Sequence, residues 1–270
     1  YSRGLQEKKN SYLYIEQLLK DAIKNNRFIS LIQPKVMHNK GYNYIVGGEI
    51  LIRMKDEKGV LISPESFIKV AEDTGLIIHL GNWIIEDACK SIIELQKLNI
   101  PVQIAVNASI KQFENNLIVQ VLKENIEKYN ISPRSLEIEV TESLFKSDVN
   151  KIKESLQLIR EVGLSIAIDD FGTGYSSLST IASLPIDTLK IDKAFTDHLL
   201  ESTGSELVST IVGISENLGL KTVIEGVETS AQIEKLKAYE PIIIQGYYYS
   251  KPLKLEDFIS FCKNYRNISI

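Results

Sequence analysis

Short apolar runs alternate with longer stretches of helical spacing along most of the chain. The runs at 28–32, 44–52, 102–106, 136–140, 164–168, 188–191, 220–224 and 242–244 predict eight strands, rich in Ile, Val and Leu. Between most of them, apolar residues recur at helical intervals, as over 83–98, 117–129, 152–162, 206–218 and 231–238. Strand–helix alternation of this kind predicts parallel strands joined by helical crossovers. Only a short turn at Lys40–Gly41 separates the first two strands, so that pair is expected to be antiparallel. Eight strands favour closure into a TIM-type (β/α)8 barrel over an open sheet. Ahead of them, Leu13, Ile15, Leu18, Leu19 and Ile23 mark an amphipathic leading helix. Residues 1–26 therefore read as a helix or linker from a longer parent protein, and 27–270 as the barrel.

The polar residues that interrupt this pattern fall mostly at strand ends. Asn107 follows the third strand. Glu139 lies in the fourth, with Glu142 behind it, and Asp169 and Asp170 follow the fifth. Lys190 lies in the sixth, Glu225 ends the seventh with Glu228 close by, Gln245 ends the eighth, and Glu49 interrupts the second. In a parallel barrel these ends open onto one face, where such folds place their chemistry. Any one of these residues alone reads as a turn or a solvated strand end. Together they put several carboxylates at one mouth, where they repel unless cations neutralise them. Oxygen ligands without His or Cys call for a hard ion, Mg²⁺ or Mn²⁺. Adjacent Asp169 and Asp170 suit a pair of ions ~4 Å apart, with one carboxylate shared, which is an arrangement for phosphoester hydrolysis.

Composition narrows the substrate. The chain has 270 residues, 44% of them apolar, and a net charge of −4. That balance gives a sizeable core and argues against a general grip on polymeric nucleic acid, which needs a basic stripe. An anionic substrate must instead meet local positive charge or metal ions. Cys89 and Cys262, the two cysteines, offer neither a disulfide framework nor metal-ligand spacing, which fits a reducing cytoplasm. No apolar stretch approaches the ~20 residues that span a bilayer. The chain opens at Tyr1 without Met, as expected of a segment of a longer protein, whose membrane anchorage this segment leaves open. His38, His79 and His198 are scattered and read as surface or core residues, and Trp83 as packing.

Longer motifs surround these positions: Gln33-Pro34, Glu49-Ile-Leu-Ile-Arg53, Val106-Asn107-Ala-Ser109 and Glu139-Val-Thr-Glu142-Ser143. Further on stand Asp169-Asp-Phe-Gly-Thr-Gly-Tyr-Ser-Ser-Leu178, Leu189-Lys-Ile-Asp192, Glu225-Gly-Val-Glu-Thr229 and Gln245-Gly-Tyr247. In this order and spacing the chain resembles the EAL family of cyclic di-GMP phosphodiesterases, from about residue 27 to 255. Glu49-Ile50-Leu51 stands at the tripeptide that names the family. The strings opening at Asp169 and Glu225 are highly specific; the tripeptide alone is not.

The resemblance implies hydrolysis of cyclic di-GMP to linear pGpG in bacterial signalling, dependent on two Mg²⁺ or Mn²⁺ ions and inhibited by Ca²⁺. It implies that Glu49, Asn107, Glu139 and Asp169 hold one ion and that Asp169 and Asp170 hold the second. Glu225 would serve beside it as ligand or general base, and Lys190 would orient the attacking water. Gln33 and Arg53 look like substrate contacts, and Gln245 and Glu228 like supporting positions in the binding site. Glu142 would prop a loop at Gly172–Gly174 that links dimer contacts to the metal site, which implies a homodimer. Regulatory domains are expected upstream. Ile50 departs from the family's usual Ala, which should adjust packing beside Glu49 without removing a ligand. Met54 stands where an aromatic is frequent, as a weakened wall of the site or as a core residue. The rival reading, a receptor that binds the same nucleotide without cleaving it, would be expected to have lost ligands or base; none is lost here.

Overall fold

Lys40 and Gly41 both lie in the left-handed region, at φ 50° and 81°. Two such residues make a hairpin turn whose twist matches that of its strands. In the computed structural model, which describes residues 2–146, 149–172 and 178–265, this turn joins β1 (Phe28–Asn39) to β2 (Tyr42–Lys55) antiparallel. A short β3 (Leu61–Ile62) adds antiparallel to the far end of β2. There follow β4 (Gln103–Ala108), β5 (Leu136–Thr141), β6 (Ser165–Phe171), β7 (Thr188–Ile191), β8 (Lys221–Ile224) and β9 (Ile242–Gln245). From β2 through β4 to β9 every neighbour is parallel, and β1 closes the ring by pairing antiparallel with both β2 and β9. The result is the expected eight-stranded barrel, with β3 as an annex.

Strand parity divides the wall into two faces. Outward-facing Ile104, Val106, Ile138, Val140, Ile166, Ile168, Leu189 and Ile191 are at most 1% exposed. They share one core with residues of the surrounding helices, such as Leu80, Ile92 and Leu95 of Ile77–Lys97 and Leu156 of Val149–Val162. Each such side chain contributes about 1.5–3 kcal/mol on burial. β1 runs on past its predicted apolar segment because Gln33, Lys35 and His38 are buried too, which an apolar count does not register. The helix Pro64–Thr74, with Pro at its first turn and Gly75 in the left-handed region behind it, packs against the leading helix Ser2–Lys24. Trp83 donates to Asn26 and packs on Phe28.

Candidate active site

At the carboxyl end of the barrel, strand ends from around the ring bring their polar side chains to one point. The fully buried ammonium of Lys190 lies 2.6 Å from Glu139, 2.7 Å from Glu225, 3.1 Å from Asp169 and 3.4 Å from Glu49. Burial pushes this amine down, but the carboxylates of Asp169, Glu139, Glu225 and Glu49 raise it well above its ordinary value. Above it, Glu49 accepts from Asn107 and from Gln245, both at 2.6 Å. Carboxylate oxygens of Glu49, Glu139 and Asp169 lie within 4.8 Å of one another, and so do those of Asp169, Asp170 and Glu225.

Two adjacent aspartates can serve one site only if the strand breaks its alternation, because regular pleating sends neighbours to opposite faces. The register of β6 against β7 slips between Ile168 and Phe171, and Asp170 takes φ 55°. Its amide donates to Asp169 Oδ1 at 2.9 Å. A bulge re-aims a side chain in this way, at a backbone cost of about 1–3 kcal/mol for a non-glycine residue.

The carboxyl groups are driven apart. Burial, opposed by Lys190 and reinforced by Asp169 and Glu49, pushes Glu225 up to about 8. Burial and the charges of Asp169 and Asp192 push Asp170 up to about 6, and burial with Glu139 raises Glu49. Glu139 goes the other way: burial is outweighed by Lys190 and Lys35, which hold it at about 2. Raised carboxyl groups mark negative charge that the protein alone does not neutralise.

The remaining sequence-derived positions ring this centre. Gln33 lies opposite Glu49 in the β1–β2 register, accepts from Gln245 at 3.3 Å and donates to Ser250 O at 3.4 Å. A cleft of about 300 Å³ opens over the cluster, lined by Glu49, Asp169, Glu225, Glu228, Gln245 and Tyr247 among others. Glu228 meets Lys193 at 2.9 Å on its rim. Arg53 donates to Ile52 O and lines an adjoining cavity of about 360 Å³ with Asn107 and Ser109. Glu142 is buried and accepts the Gly172 amide at 3.2 Å. The loop expected at 172–174 lies outside the described residues from 173 onward. Ile50 points away from Glu49 into the outer core, and Met54 is fully buried there. Neither reaches the carboxylate cluster.

Sequence reading passed over Lys35, Glu137 and Lys193. The signal for Glu137 was its place two residues before Glu139, on the same face of a strand buried on both sides.

The residues fit a pair of divalent cations. At full ionisation, Glu49, Glu137, Glu139, Asp169, Asp170 and Glu225 carry six negative charges against the two of the buried lysines among the described residues, Lys35 and Lys190, a formal excess of four. The donors are all oxygen, which suits hard ions. Buried Gln245 Oε1 also has no hydrogen-bond partner among the described residues.

Fold and site together define an α/β barrel with an acidic centre able to hold metal at its carboxyl mouth. The family model for the EAL domain matches residues 16–252, and the chain belongs to that family. It is 38% identical over 262 residues to the signaling protein YkoW of Bacillus subtilis, covering 97% of this chain and 32% of the relative. The bifunctional diguanylate cyclase/cyclic di-GMP phosphodiesterase MucR of Pseudomonas aeruginosa is 35% identical over 244 residues, covering 90% and 35%. The chain thus spans about a third of the length of these relatives. The structure of the PaMucR phosphodiesterase in complex with c-di-GMP superposes with a TM-score of 0.85 at 35% identity, covering 91% of this chain and 99% of that one. Among the described residues, no helix is long and apolar enough to cross a membrane.

Proposed function

We propose that this chain hydrolyses cyclic di-GMP to linear pGpG, with two Mg²⁺ or Mn²⁺ ions as cofactors. The observation that carries the reading is the pair of carboxylate groups sharing Asp169 at the mouth of an EAL barrel. Glu49, Asn107, Glu139 and Asp169 would hold one ion and Asp169 and Asp170 the other. Bound there, the ions would supply charge neutralisation at the phosphate and a more acidic water. Glu225, beside Asp169 and Asp170 at the second ion's position, would be ionised by that neighbouring cation and suited to take the proton of the attacking water. Lys190 orients that water. The new bond forms from water oxygen to phosphorus, the bond to the sugar 3′ oxygen breaks, and that oxygen leaves with a proton from solvent. Arg53, whose guanidinium can present two parallel donors, is suited to a phosphate, and Gln33 serves as a further substrate contact. Gln245 and Glu228 steady the walls of the cleft. The same reading places the chain in the cytoplasm, within a longer, homodimeric signalling protein with regulatory domains upstream.

The test is Glu225→Gln, which keeps shape and removes basicity. Loss of a general base costs about 10²–10⁴ in rate. Calorimetry should show cyclic di-GMP still bound, while turnover to linear dinucleotide nearly disappears. A wild type that binds without cleaving, matched by an identical Glu225→Gln, would make the domain a receptor.

A further inference from the structure

Beneath the carboxylate centre lies a second ionic cluster that the proposed chemistry leaves unused. Lys35, on the antiparallel strand β1, reaches across the barrel to Glu137 Oε1 at 3.1 Å and Glu139 Oε1 at 2.6 Å. Glu137 Oε2 accepts from Thr188 at 2.9 Å, and all four residues are at most 4% exposed. Around them the barrel carries small residues: Gly47, Ala105 and Ala167 sit two positions before Glu49, Asn107 and Asp169.

Stability does not account for such a cluster. Apolar residues of similar volume commonly replace a buried ion pair at no cost, or with a gain. What the cluster does fix is the use of Glu139. A carboxylate can give a cation one oxygen or both. Here Oε1 is held from below by Lys35, which leaves Oε2 turned toward Lys190 at 2.6 Å, the amine it shares with Glu49 and Asp169. Glu137 cancels the charge of Lys35, so the anchor adds no positive charge beneath an incoming cation.

We infer that Lys35, kept in place and neutralised by Glu137, is a positioning residue that makes Glu139 a one-oxygen ligand of the metal centre. The inference rests on the metal reading above, so its test must separate the two. Lys35→Met with Glu137→Gln preserves volume and net charge, and the new amide oxygen can still accept from Thr188. Mn²⁺ binding by calorimetry, in the absence of nucleotide, should weaken about 10–100-fold, as when the partner orienting a ligand is lost. The melting temperature without metal should stay close to that of wild type. With saturating Mn²⁺, kcat should fall while KM for cyclic di-GMP holds within about twofold. If the pair fails to fold, Glu137→Gln alone decides. Its uncompensated Lys35 should weaken Mn²⁺ binding at least tenfold, and unchanged binding overturns the inference. Wild-type Mn²⁺ affinity and kcat in the folded double variant also overturn it, leaving the metal reading intact. A wild type that takes up no Mn²⁺ defeats the metal reading itself.

Discussion

At the scale of single residues, the active centre depends on which face of a strand each side chain takes. Ile50 shows this for an apolar position. It follows Glu49 directly, but alternation turns it into the outer core, where it is 2% exposed and lines the Arg53 cavity from the side away from the carboxylates. Ile50→Ala should therefore cost stability and spare the chemistry. Urea denaturation is expected to show a loss of about 2–5 kcal/mol, with kcat within about twofold of wild type; a collapse of kcat at intact stability would place Ile50 in the site. Asp170 shows the opposite case. Alternation alone would bury Asp169 and turn Asp170 away, so the sequence could suggest that both serve the site but not how. The answer is a backbone bulge with φ 55°, a conformation that Asp tolerates better than most residues but that its presence alone does not announce.

Elements explain what the apolar pattern reached and what it missed. Strand positions were legible because walls packed on both sides read as unbroken Ile, Val and Leu. The far half of β1 was not, since Lys35 and His38 interrupt it with groups that pair inside the fold. Lys35 meets two glutamates, and His38 meets the Tyr249 hydroxyl. Polar residues in a barrel interior look like loop residues until their partners are known. The turn after β5 carries a further consequence. Glu142 is 2% exposed and takes the Gly172 amide, tying that turn to the end of β6 directly after Asp169 and Asp170. Glu142→Ala should lower turnover severalfold while circular dichroism and the melting profile remain those of a folded barrel. Wild-type turnover in that variant would reduce Glu142 to a strand-end residue without influence on the centre.

For the molecule as a whole, charge is the dominant imbalance. The excess of four negative charges inside the barrel should make activity depend on divalent ions and vanish on chelation. Ca²⁺ has the right charge and hardness, but it prefers longer bonds and more ligands than Mg²⁺. Replacing Mg²⁺ by Ca²⁺ should therefore leave the protein stabilised against heat and catalytically silent. Full turnover in Ca²⁺, with Mg²⁺ removed, would count against the two-ion assignment. The barrel itself was legible from eight strands and their helical crossovers. The way it closes was not, because pairing between β1 and β9 joins segments about two hundred residues apart and leaves no local mark.

That closure decides where the chain comes in. In a barrel whose strands all run one way, the polypeptide enters at the foot, far from the chemistry. Here the reversed strand brings it in at the rim, with Phe28 beside Met54, five positions up β2 from Glu49. The leading helix buries Leu18, Leu19 and Ala22 and leans on Pro64–Thr74, whose Ile68 and Glu72 line the cavity under Arg53. A twist or pull on that helix would bear first on the wall of the Arg53 cavity. One layer of side chains, that of Pro64–Thr74, separates the entering helix from the cavity that Arg53 lines.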